Sequence, residues 1–523
     1  MEGVANANAN GNGVIGGVIL DESVVFDDDD DDDESNPSSL RPAAEPLLRK
    51  LRYSAIPTAI SYRLGLSSPK LNLLKGMGTL YSMECFSLDP SSSSSSIDVD
   101  AIKLAWPDVR GRGTILFLLS SRNYHSNRLF FRKLPNSTCH IALLNVEGAS
   151  ACEGSSIVYI NKLEELPLTI CHLNRKAIGN KVVTVGYVMK PSREEDFAKR
   201  GAFPLYPTHN GLMFLPLTFE LPLLPQLQEV DIILHKATDE IISIELSNSA
   251  EFPSKITYTN GMQELKRYMD HHIDCCVIDP LNNIYPVLDR LKIQHILLGL
   301  ENLEGASGCV IRGPHFLEVH DYKEPDLIQR LSGAKLSLPC IVKPQVACGV
   351  ADAHNMAIVF KVEDFKDLKV PLPAVIQEYV DHSSTLYKFY VLGEKVFYAV
   401  KKSTPNADIL IKLSGGRELK PLVFDSLKSL PTATGNQQSG DSNCSKGSNE
   451  HIDHGLVTEA AKWLMRNVGL TIFGFDVVIH EGSGDHVIVD VNYLPSFKEV
   501  PEEVAIPAFW DAIKKKLESK GAP

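Results

Sequence analysis

Apolar and polar positions alternate along the first third of the chain in short β-branched runs that are separated by amphipathic stretches. The apolar runs predict four strands, at 17–26, 55–62, 114–119 and 157–160. Helical spacing predicts helices at 47–53 and 69–83. Because strands that alternate with helices are typical of α/β domains, we predict one over residues 17–175. The Ala/Asn/Gly-rich residues 1–16 are predicted to be a disordered tail.

A second series of strands and helices begins at residue 181. Its strands are predicted at 181–189, 230–236, 276–280, 338–344, 356–362, 374–380, 386–391 and 395–402. Its helices are predicted at 265–269, 284–298, 456–468 and 507–519. We divide this part of the chain at residue 280 and place a polar loop insert at 431–450 in the second half.

The last strand pair, within residues 473–492, is predicted to be a hairpin, because two β-branched runs flank a Gly-Ser-Gly turn. If the turn centres on Ser483, Asp476 faces Asp490, and Asn492 points from the same face as Asp490. Facing carboxylates repel each other, and a divalent cation removes the repulsion. The three oxygen ligands suit Mg²⁺ that is shared with substrate phosphates. The alternative is a solvated hairpin with its acids facing water.

Composition excludes several classes of function. The 523 residues are 44% hydrophobic, which predicts a globular protein of about three domains. The net charge is −13, and eight of the acids lie in residues 27–34, so no binding of nucleic acid is expected. No long apolar run or secretory signal is present, and the ten cysteines are scattered. We therefore expect no membrane span and a reducing compartment, the cytoplasm and also the nucleus, with the protein as a monomer.

Two lysines lie inside apolar strands, Lys343 and Lys388. A buried ammonium is costly unless it is paired with an anion, although Lys343 could instead reach water from a sheet edge. Two such cations before an acidic hairpin predict a site for the phosphates of ATP, bridged by Mg²⁺. The chain has no Walker A motif and no kinase glycine-rich loop. This combination favours the ATP-grasp arrangement, in which two α/β lobes clamp the nucleotide.

Several short motifs occur in a characteristic order: Leu234-His235-Lys236, Asp279-Pro280, Asp289-Arg290, Val342-Lys343-Pro344, His354-Asn355-Met356-Ala357, Gln377-Glu378-Tyr379-Val380, Leu386-Tyr387-Lys388 and Asp490-Val491-Asn492-Tyr493-Leu494-Pro495. With these motifs, residues 181–523 resemble inositol 1,3,4-trisphosphate 5/6-kinases, also called inositol tetrakisphosphate 1-kinases, in their long plant form. The resemblance implies an ATP-grasp fold over 281–523, preceded by a small α/β pre-grasp part at 181–280 that binds inositol phosphate.

The resemblance also implies a role for individual residues. Nucleotide contacts fall on Arg290, Lys343, Gln377, Glu378, Val380 and Ser403. Contacts to inositol polyphosphate fall on Arg193, Lys236, His354, Lys388 and Asn492. Mg²⁺ ligands fall on Asp476, Asp490 and Asn492, and catalysis on Lys388, Asp490 and Asn492. The implied reaction transfers the γ-phosphoryl group of ATP to a free hydroxyl of inositol tris- or tetrakisphosphates. Without the family context, His354 would be interpreted as a polar loop residue.

Four positions depart from the family pattern: Arg193 replaces Lys, Asp289 replaces Asn, Lys401 replaces Arg and Ser496 replaces Gly. Arginine can bind a phosphate through two parallel hydrogen bonds where lysine is a point charge, so selectivity could shift. None of the four removes a metal ligand. We therefore expect an active enzyme with an altered substrate preference.

The N-terminal domain resembles the haloacid-dehalogenase-like fold, in which an apolar strand ends in a nucleophilic Asp. Asp21 could occupy that position, but Ser23 stands where the family has its acid/base Asp. The missing acid argues against phosphatase chemistry, so we expect a non-catalytic structural domain.

Two other functions remain open at this point. A carboxylate–amine ligase of the ATP-grasp type would form an acyl phosphate and would need an amine site rather than a basic pocket. A non-catalytic inositol phosphate sensor would not need a complete set of metal ligands. Lys236, Arg193 and His354 favour the kinase over the ligase, and the complete set of ligands argues against the sensor.

Overall fold

The protein is represented by a computed structural model that describes residues 13–27, 40–88, 113–131, 139–144, 157–179, 181–246, 255–303, 308–413, 419–431 and 452–521. The chain forms two compact units, residues 1–234 and 235–523. Most of the acidic residues 27–34 and nearly all of the predicted insert at 431–450 lie outside the described residues. No helix in the described ranges is long and apolar enough to span a membrane.

A six-stranded parallel sheet forms the body of the first unit, in the order β3-β2-β1-β4-β5-β6. Its strands are β1 Ile15–Asp21, β2 Thr58–Arg63, β3 Glu84–Leu88, β4 Thr114–Ser120, β5 Cys139–Leu144 and β6 Ile157–Ile160. The helices beside them are α1 Glu22–Val25, α2 Ala44–Arg52, α3 Ser68–Tyr81, α4 Ser121–Ser126, α5 Arg128–Phe131 and α6 Leu166–Ile178. Apolar side chains from both faces of the sheet form two cores. The predicted α/β class of this domain is confirmed.

The predicted strand at 17–26 is wrong at its C-terminal end. β1 stops at Asp21, and α1 begins at Glu22 because the Asp21 side chain accepts a hydrogen bond from Ser23 N and caps the helix. The rest of the unit contains β7 Val183–Val188, α7 Pro191–Ala198, β8 Leu212–Pro216 and α8 Leu223–Leu227. β7 and β8 pair in parallel.

Two five-stranded sheets dominate the second unit, in the orders β14-β17-β15-β16-β20 and β13-β22-β21-β18-β19. The strands from the end of the first unit onward are β9 Ile232–His235, β10 Ile241–Glu245, β11 Lys255–Tyr258, β12 Cys276–Ile278, β13 Ile311–Arg312, β14 Phe316–Val319, β15 Cys340–Pro344, β16 Asn355–Val359, β17 Ala374–Glu378, β18 Thr385–Leu392, β19 Lys395–Lys402, β20 Leu422–Asp425, β21 Ile472–Ile479 and β22 His486–Tyr493. The helices are α9 Asn260–His271, α10 Leu281–Leu288, α11 Arg290–Leu297, α12 Leu327–Gly333, α13 Ala407–Leu413, α14 His454–Val468 and α15 Glu502–Gly521.

The single helix predicted at 284–298 is wrong, because the structure has two helices that are separated at Asp289. Asp289 has an extended backbone (φ −119°, ψ 109°), and its carboxylate caps α11 by accepting from Leu291 N at 2.9 Å and Lys292 N at 3.3 Å. Pro286 inside α10 cannot donate its own helical hydrogen bond, which weakens the helix just before the break. The break brings Arg290 to the start of a helix.

Candidate active site

The C-terminal hairpin has the predicted register. In the antiparallel pair β21–β22, Asp476 is opposite Asp490 and Gly474 is opposite Asn492, with a bulge beside Asp476. The neighbouring strand β18 places Lys388 opposite Asp476. Paired residues on adjacent strands point to the same face of a sheet, so one face carries two carboxylates, an amide and an ammonium.

The Asp476 carboxylate on this face is poorly compensated. Asp476 Oδ1 is buried and has no hydrogen-bond partner within the described ranges, and Lys388 Nζ lies 4.0 Å from Asp476 Oδ2. Burial raises the pKa of Asp476 to about 6, with a further upward push from Asp490 and an opposing effect of Lys388. Asn492 Nδ2 donates to Asp490 Oδ2 at 3.2 Å. A buried oxygen without a partner is a costly arrangement, and a bound cation would remove that cost.

This cluster of oxygens fits Mg²⁺ only in part. Nowhere in the described part of the chain do three or more His, Cys, Asp or Glu side chains converge as a metal site. Two carboxylates and one amide leave positions in an octahedral shell for water and substrate phosphates, which is the usual manner of binding Mg²⁺. The donor set is therefore compatible with a metal that arrives together with a nucleotide.

Lys343 links the two sheets of the second unit at this face. It extends from β15, a central strand of the first sheet, and Nζ donates to Val489 O on β22 at 3.1 Å. The residue is only 8% exposed, so the alternative that it reaches water from a sheet edge is wrong. Burial lowers the pKa of Lys343 to about 8, although the charge of Asp490 opposes that change. A lysine in this position favours the binding of an anion between the sheets.

Arg290 holds the segment that follows Lys343. Its Nη1 donates to the carbonyl oxygens of Pro344 (2.6 Å), Val346 (3.0 Å) and Ala353 (3.1 Å), and Nη2 donates to Ala347 O at 3.3 Å. These contacts span the connection between β15 and β16, with Lys343 at one end. The resemblance implies a nucleotide contact for Arg290, whereas these bonds use the fork of the guanidinium to shape the loop.

His354 and Lys236, two of the predicted inositol phosphate contacts, are held by different segments of the second unit. His354 ends a 3₁₀ turn at Ala351–His354, where the sequence predicted only a loop, and its Nδ1 lies 3.3 Å from Ser426 Oγ. Burial lowers the pKa of His354, and the charge of Arg290 lowers it further. Lys236 is buried, donates to Tyr493 O, and places Nζ 4.3 Å from the centre of the Tyr493 ring. Tyr493 directly follows Asn492, so Lys236 is anchored at the Asn492 end of β22.

The connection from β17 to β18 adjoins a small apolar patch, formed by Val380, Leu386, Val478, Val487 and Val489. The pair Val478–Val487 lies further toward the hairpin turn than the pair Asp476–Asp490. The face therefore changes along its length from apolar at the Val380 end to charged at the carboxylates.

Polar contacts hold the same connection in place. Arg312 binds the Glu378 carboxylate through two hydrogen bonds of 2.8 and 3.0 Å, and the His382 ring contacts Val380 O at 2.6 Å. Gln377 is buried, and Ser403 N donates to Ser384 O at 2.8 Å. All four predicted nucleotide residues other than Arg290 and Lys343 thus lie in or beside this connection.

Sequence reasoning missed several residues that shape the site. Tyr493 donates its hydroxyl to His235 O and anchors Lys236, and Arg312 anchors Glu378. Glu499 binds two residues of the second sheet, Tyr390 and Lys401. The only available signal for Tyr493 was its place beside Asn492. Arg193, in contrast, lies on α7 of the first unit and stays a prediction.

Asp21 of the first unit has hydrogen-bond partners on both oxygens. Oδ1 accepts from Ser23 Oγ (2.6 Å), Ser23 N (3.1 Å) and Asn123 Nδ2 (2.6 Å), and Oδ2 accepts from Ser61 Oγ at 3.2 Å. Ser23 Oγ also accepts from Ser120 N at 3.0 Å. Ser23 therefore joins the ends of β1 and β4, which supports a structural role for this cluster.

Asp279 anchors the start of β21. It is fully buried, and Oδ2 accepts from Thr471 N at 2.8 Å and Ile472 N at 3.4 Å. Burial raises the pKa of Asp279 to about 6, and the hydrogen bonds from Thr471 oppose that change. Between about pH 4 and pH 6 the folded protein therefore holds a proton that the unfolded chain has already released.

Replacing Asp279 with asparagine should change how stability depends on pH. In the wild type this one group makes the free energy of unfolding fall as pH rises from about 4 to 6, and the loss persists above 6. Asparagine has no proton to lose and can offer its carbonyl oxygen to both amides. The free energy of unfolding of the variant, minus that of the wild type, should therefore increase by about 2–3 kcal/mol as pH rises from 4 to 7. Urea unfolding at each pH measures this difference.

The exposed Asp274 provides the control for this comparison. In Asp274→Asn the free energy of unfolding should depend on pH in the same way as in the wild type. Parallel pH profiles for Asp279→Asn and the wild type would show that the buried carboxyl does not take up the proton.

Two protein families match the chain. Residues 12–176 match the family described as ITPK4, N-terminal HAD-like domain, and residues 308–511 match the inositol 1,3,4-trisphosphate 5/6-kinase ATP-grasp domain. The fold classes expected from the sequence, haloacid-dehalogenase-like at the N-terminus and ATP-grasp at the C-terminus, are confirmed.

Individual relatives cover most of the chain. It is 48% identical to inositol-tetrakisphosphate 1-kinase 6 of Oryza sativa subsp. indica over 96% of its own length and 89% of the relative. It is 30% identical to inositol-tetrakisphosphate 1-kinase of Danio rerio over 56% of its own length and 69% of the relative.

Among solved structures, a RimK domain ATP-grasp protein from Sphaerobacter thermophilus matches with a TM-score of 0.37 and 12% identity, over 64% of this chain and all of the other. A similarity this low adds no evidence on function to the family matches.

Proposed function

Because this chain belongs to the inositol-tetrakisphosphate 1-kinase family and is an ATP-dependent inositol polyphosphate kinase, we propose that phosphoryl transfer takes place on the Asp476–Asp490 face of the C-terminal hairpin. The observation that carries the proposal is the facing pair of carboxylates, which includes a buried oxygen without a partner in the described residues, with Lys388 and Lys343 beside it. Membership of this family favours the kinase over the ligase and the sensor.

The metal ligands would be Asp476, Asp490 and Asn492. Mg²⁺ at this position would neutralise oxygens of the transferring phosphoryl group and of its neighbours. The two carboxylates lie opposite each other in the register of β21 and β22, which supports their sharing one cation.

The face changes from apolar at the Val380 end to charged at the two carboxylates, and this change supports one orientation of ATP. The apolar patch at Val380 suits an adenine ring, and the polyphosphate would then extend toward Lys343, Lys388 and the two carboxylates. Lys343 and Lys388 would offset the phosphate charge as point cations. Arg290 would act indirectly, because it shapes the loop between Lys343 and His354.

The acceptor would lie beyond the γ-phosphate, toward Asn492. Lys236 is anchored at that end, and it would bind phosphates of the inositol ring together with His354. The attacking hydroxyl oxygen forms a bond to phosphorus as the bond to ADP breaks, and the hydroxyl proton passes to solvent. Such a transition state is loose, so positioning and charge contribute most, and little assistance from a base is needed.

Replacing Lys236 with alanine should raise the KM for inositol phosphate by about ten-fold and leave the KM for ATP within about two-fold, because Lys236 is anchored beside Asn492 rather than beside Val380. Initial rates over a grid of both substrates separate the two constants. The exposed Lys255→Ala is the matched control. An equal loss of affinity for ATP would contradict the assignment.

The proposed reaction is tested by incubating the full chain with ATP, Mg²⁺ and a panel of inositol tris- and tetrakisphosphates and separating the products. We expect inositol phosphates with one more phosphate and an equal amount of ADP. ADP without such a product, or an amide product when amino acids are supplied, would contradict the kinase assignment.

A further inference from the structure

Beyond the two carboxylates, the same face continues toward the end of β22. Tyr390 is opposite Gly474, and Gly474 is opposite Asn492, so these three residues lie side by side on three strands. They are two positions along from Lys388, Asp476 and Asp490, which is about 6.6 Å. The apolar patch lies in the other direction. The Asn492 end is therefore the end at which an acceptor would meet the γ-phosphate.

The segment that follows β22, residues 494–500, is packed against this end of the sheet. Gly474 allows the approach, since an added Cβ would lie 3.2 Å from Pro495 Cγ and 2.9 Å from Phe389 O. Leu494 (φ +41°) and Phe497 (φ +37°) are buried, and both have a left-handed backbone conformation that residues other than glycine rarely adopt. Such conformations persist where the surroundings hold them, and they are common at functional sites.

Glu499, in this segment, is fixed by two residues of the sheet. The Tyr390 hydroxyl donates to Oε2, and Lys401 Nζ donates to Oε1. Burial pushes the pKa of Glu499 up, but the hydrogen bonds from Lys401 and Tyr390 outweigh it and leave the pKa below its usual value. The carboxylate is therefore ionised at neutral pH.

Lys401 belongs to the same electrostatic cluster as the proposed metal ligands. It is opposite Leu386 on β18, on the same face as Lys388 and Tyr390 but at the apolar-patch end, and its Nζ extends to Glu499, which also binds Tyr390. Lys401 is also one of the charges that lower the pKa of Asp476. Glu499 thus neutralises a third lysine at a face that already carries Lys343 and Lys388.

We propose that Glu499 is a specificity-determining residue that limits how many phosphates the acceptor carries. It pairs with Lys401, which would otherwise attract a phosphate, and it adds a negative charge at the acceptor end of the face. An inositol phosphate with one more phosphate carries about two more negative charges and is disfavoured more strongly. This inference rests on the proposed function, because it assumes that acceptors bind at the Asn492 end.

The test compares two acceptors that the wild type phosphorylates and that differ by one phosphate, an inositol trisphosphate and an inositol tetrakisphosphate. The quantity measured is the ratio of kcat/KM for the tetrakisphosphate to that for the trisphosphate. Glu499→Gln should raise this ratio by about three- to ten-fold, and Lys401→Met should lower it by a similar factor. The double variant should return close to the wild-type ratio.

Two further variants separate charge from structure. Glu499→Asp keeps the charge and Tyr390→Phe removes only a neutral hydroxyl, so both should leave the ratio within about two-fold even if kcat falls. High salt should reduce the changes of this kcat/KM ratio in Glu499→Gln and Lys401→Met, because salt screens the charges of partly exposed groups. Melting temperatures show whether each variant is folded.

Two outcomes overturn the inference, provided that the wild type phosphorylates both acceptors. In the first, the ratio in Glu499→Gln equals that of the wild type. In the second, Glu499→Gln and Lys401→Met shift the ratio in the same direction. A wild type that phosphorylates no inositol phosphate overturns the proposed function, and the inference with it.

Discussion

Replacing Asp490 with alanine should lower kcat for inositol phosphate phosphorylation by at least about 10³-fold, or about 4 kcal/mol of transition-state stabilisation. Asp490 faces Asp476 and accepts from Asn492, so its loss removes the centre of the proposed metal site. Steady-state rates at saturating ATP and Mg²⁺ measure the effect. A kcat at the wild-type level would remove the metal role of this hairpin.

Two variants control the Asp490 experiment. Asp490→Asn preserves the shape and removes the charge, so it should be nearly as inactive as Asp490→Ala. Asp408 is an exposed carboxylate on α13, and Asp408→Ala should be fully active. Without Mg²⁺, Asp490→Asn should melt at or above the wild-type temperature, because it relieves the repulsion between facing carboxylates. A variant that is inactive because it is unfolded would instead melt at a lower temperature.

Replacing Lys343 with methionine should lower kcat/KM for ATP by about 10²-fold without lowering stability. Lys343 is buried between the two sheets, where an anion is its natural partner, and burial lowers its pKa to about 8. In the absence of nucleotide the buried charge has a cost, so a methionine of similar length should be neutral or stabilising. The measurements are initial rates against ATP concentration and urea unfolding of the same preparation.

The matched control for Lys343 is Lys369→Met on an exposed position, which should change neither quantity. If Lys343→Met unfolded at markedly lower urea than the wild type, the lysine would be a structural element. If kcat/KM for ATP were unchanged, it would have no role at the phosphates.

The C-terminal hairpin shows how much of the site the local sequence pattern could predict. The pairing of Asp476 with Asp490 followed from the period of two in a strand and from a turn centred on Ser483, and the structure has that register. The strands and helices that were predicted mostly lie close to observed ones, because apolar periodicity is a local property. Other elements, such as β8, β14, α6 and α12, were not predicted. The helix at 284–298 was not, since the cap formed by Asp289 outweighed the helical spacing on either side.

Contacts between distant segments could not be read from the chain. Arg290 contacts carbonyl groups 54 to 63 residues further on, and backbone carbonyls carry no sequence signal. The link from Lys343 to Val489 O joins two sheets across 146 residues. No pattern in the sequence distinguishes Glu499, which the fold places against Tyr390 and Lys401.

The amino-acid sequence by itself determined which residues could do chemistry and which neighbours they have on their own strand, because side-chain direction within a strand depends only on local geometry. Only the tertiary structure decided which of those groups are buried, which are compensated and which meet. Burial and charge pairing depend on atoms from remote segments that come together in the folded chain, and these two quantities set the pKa of Asp476 and Lys343.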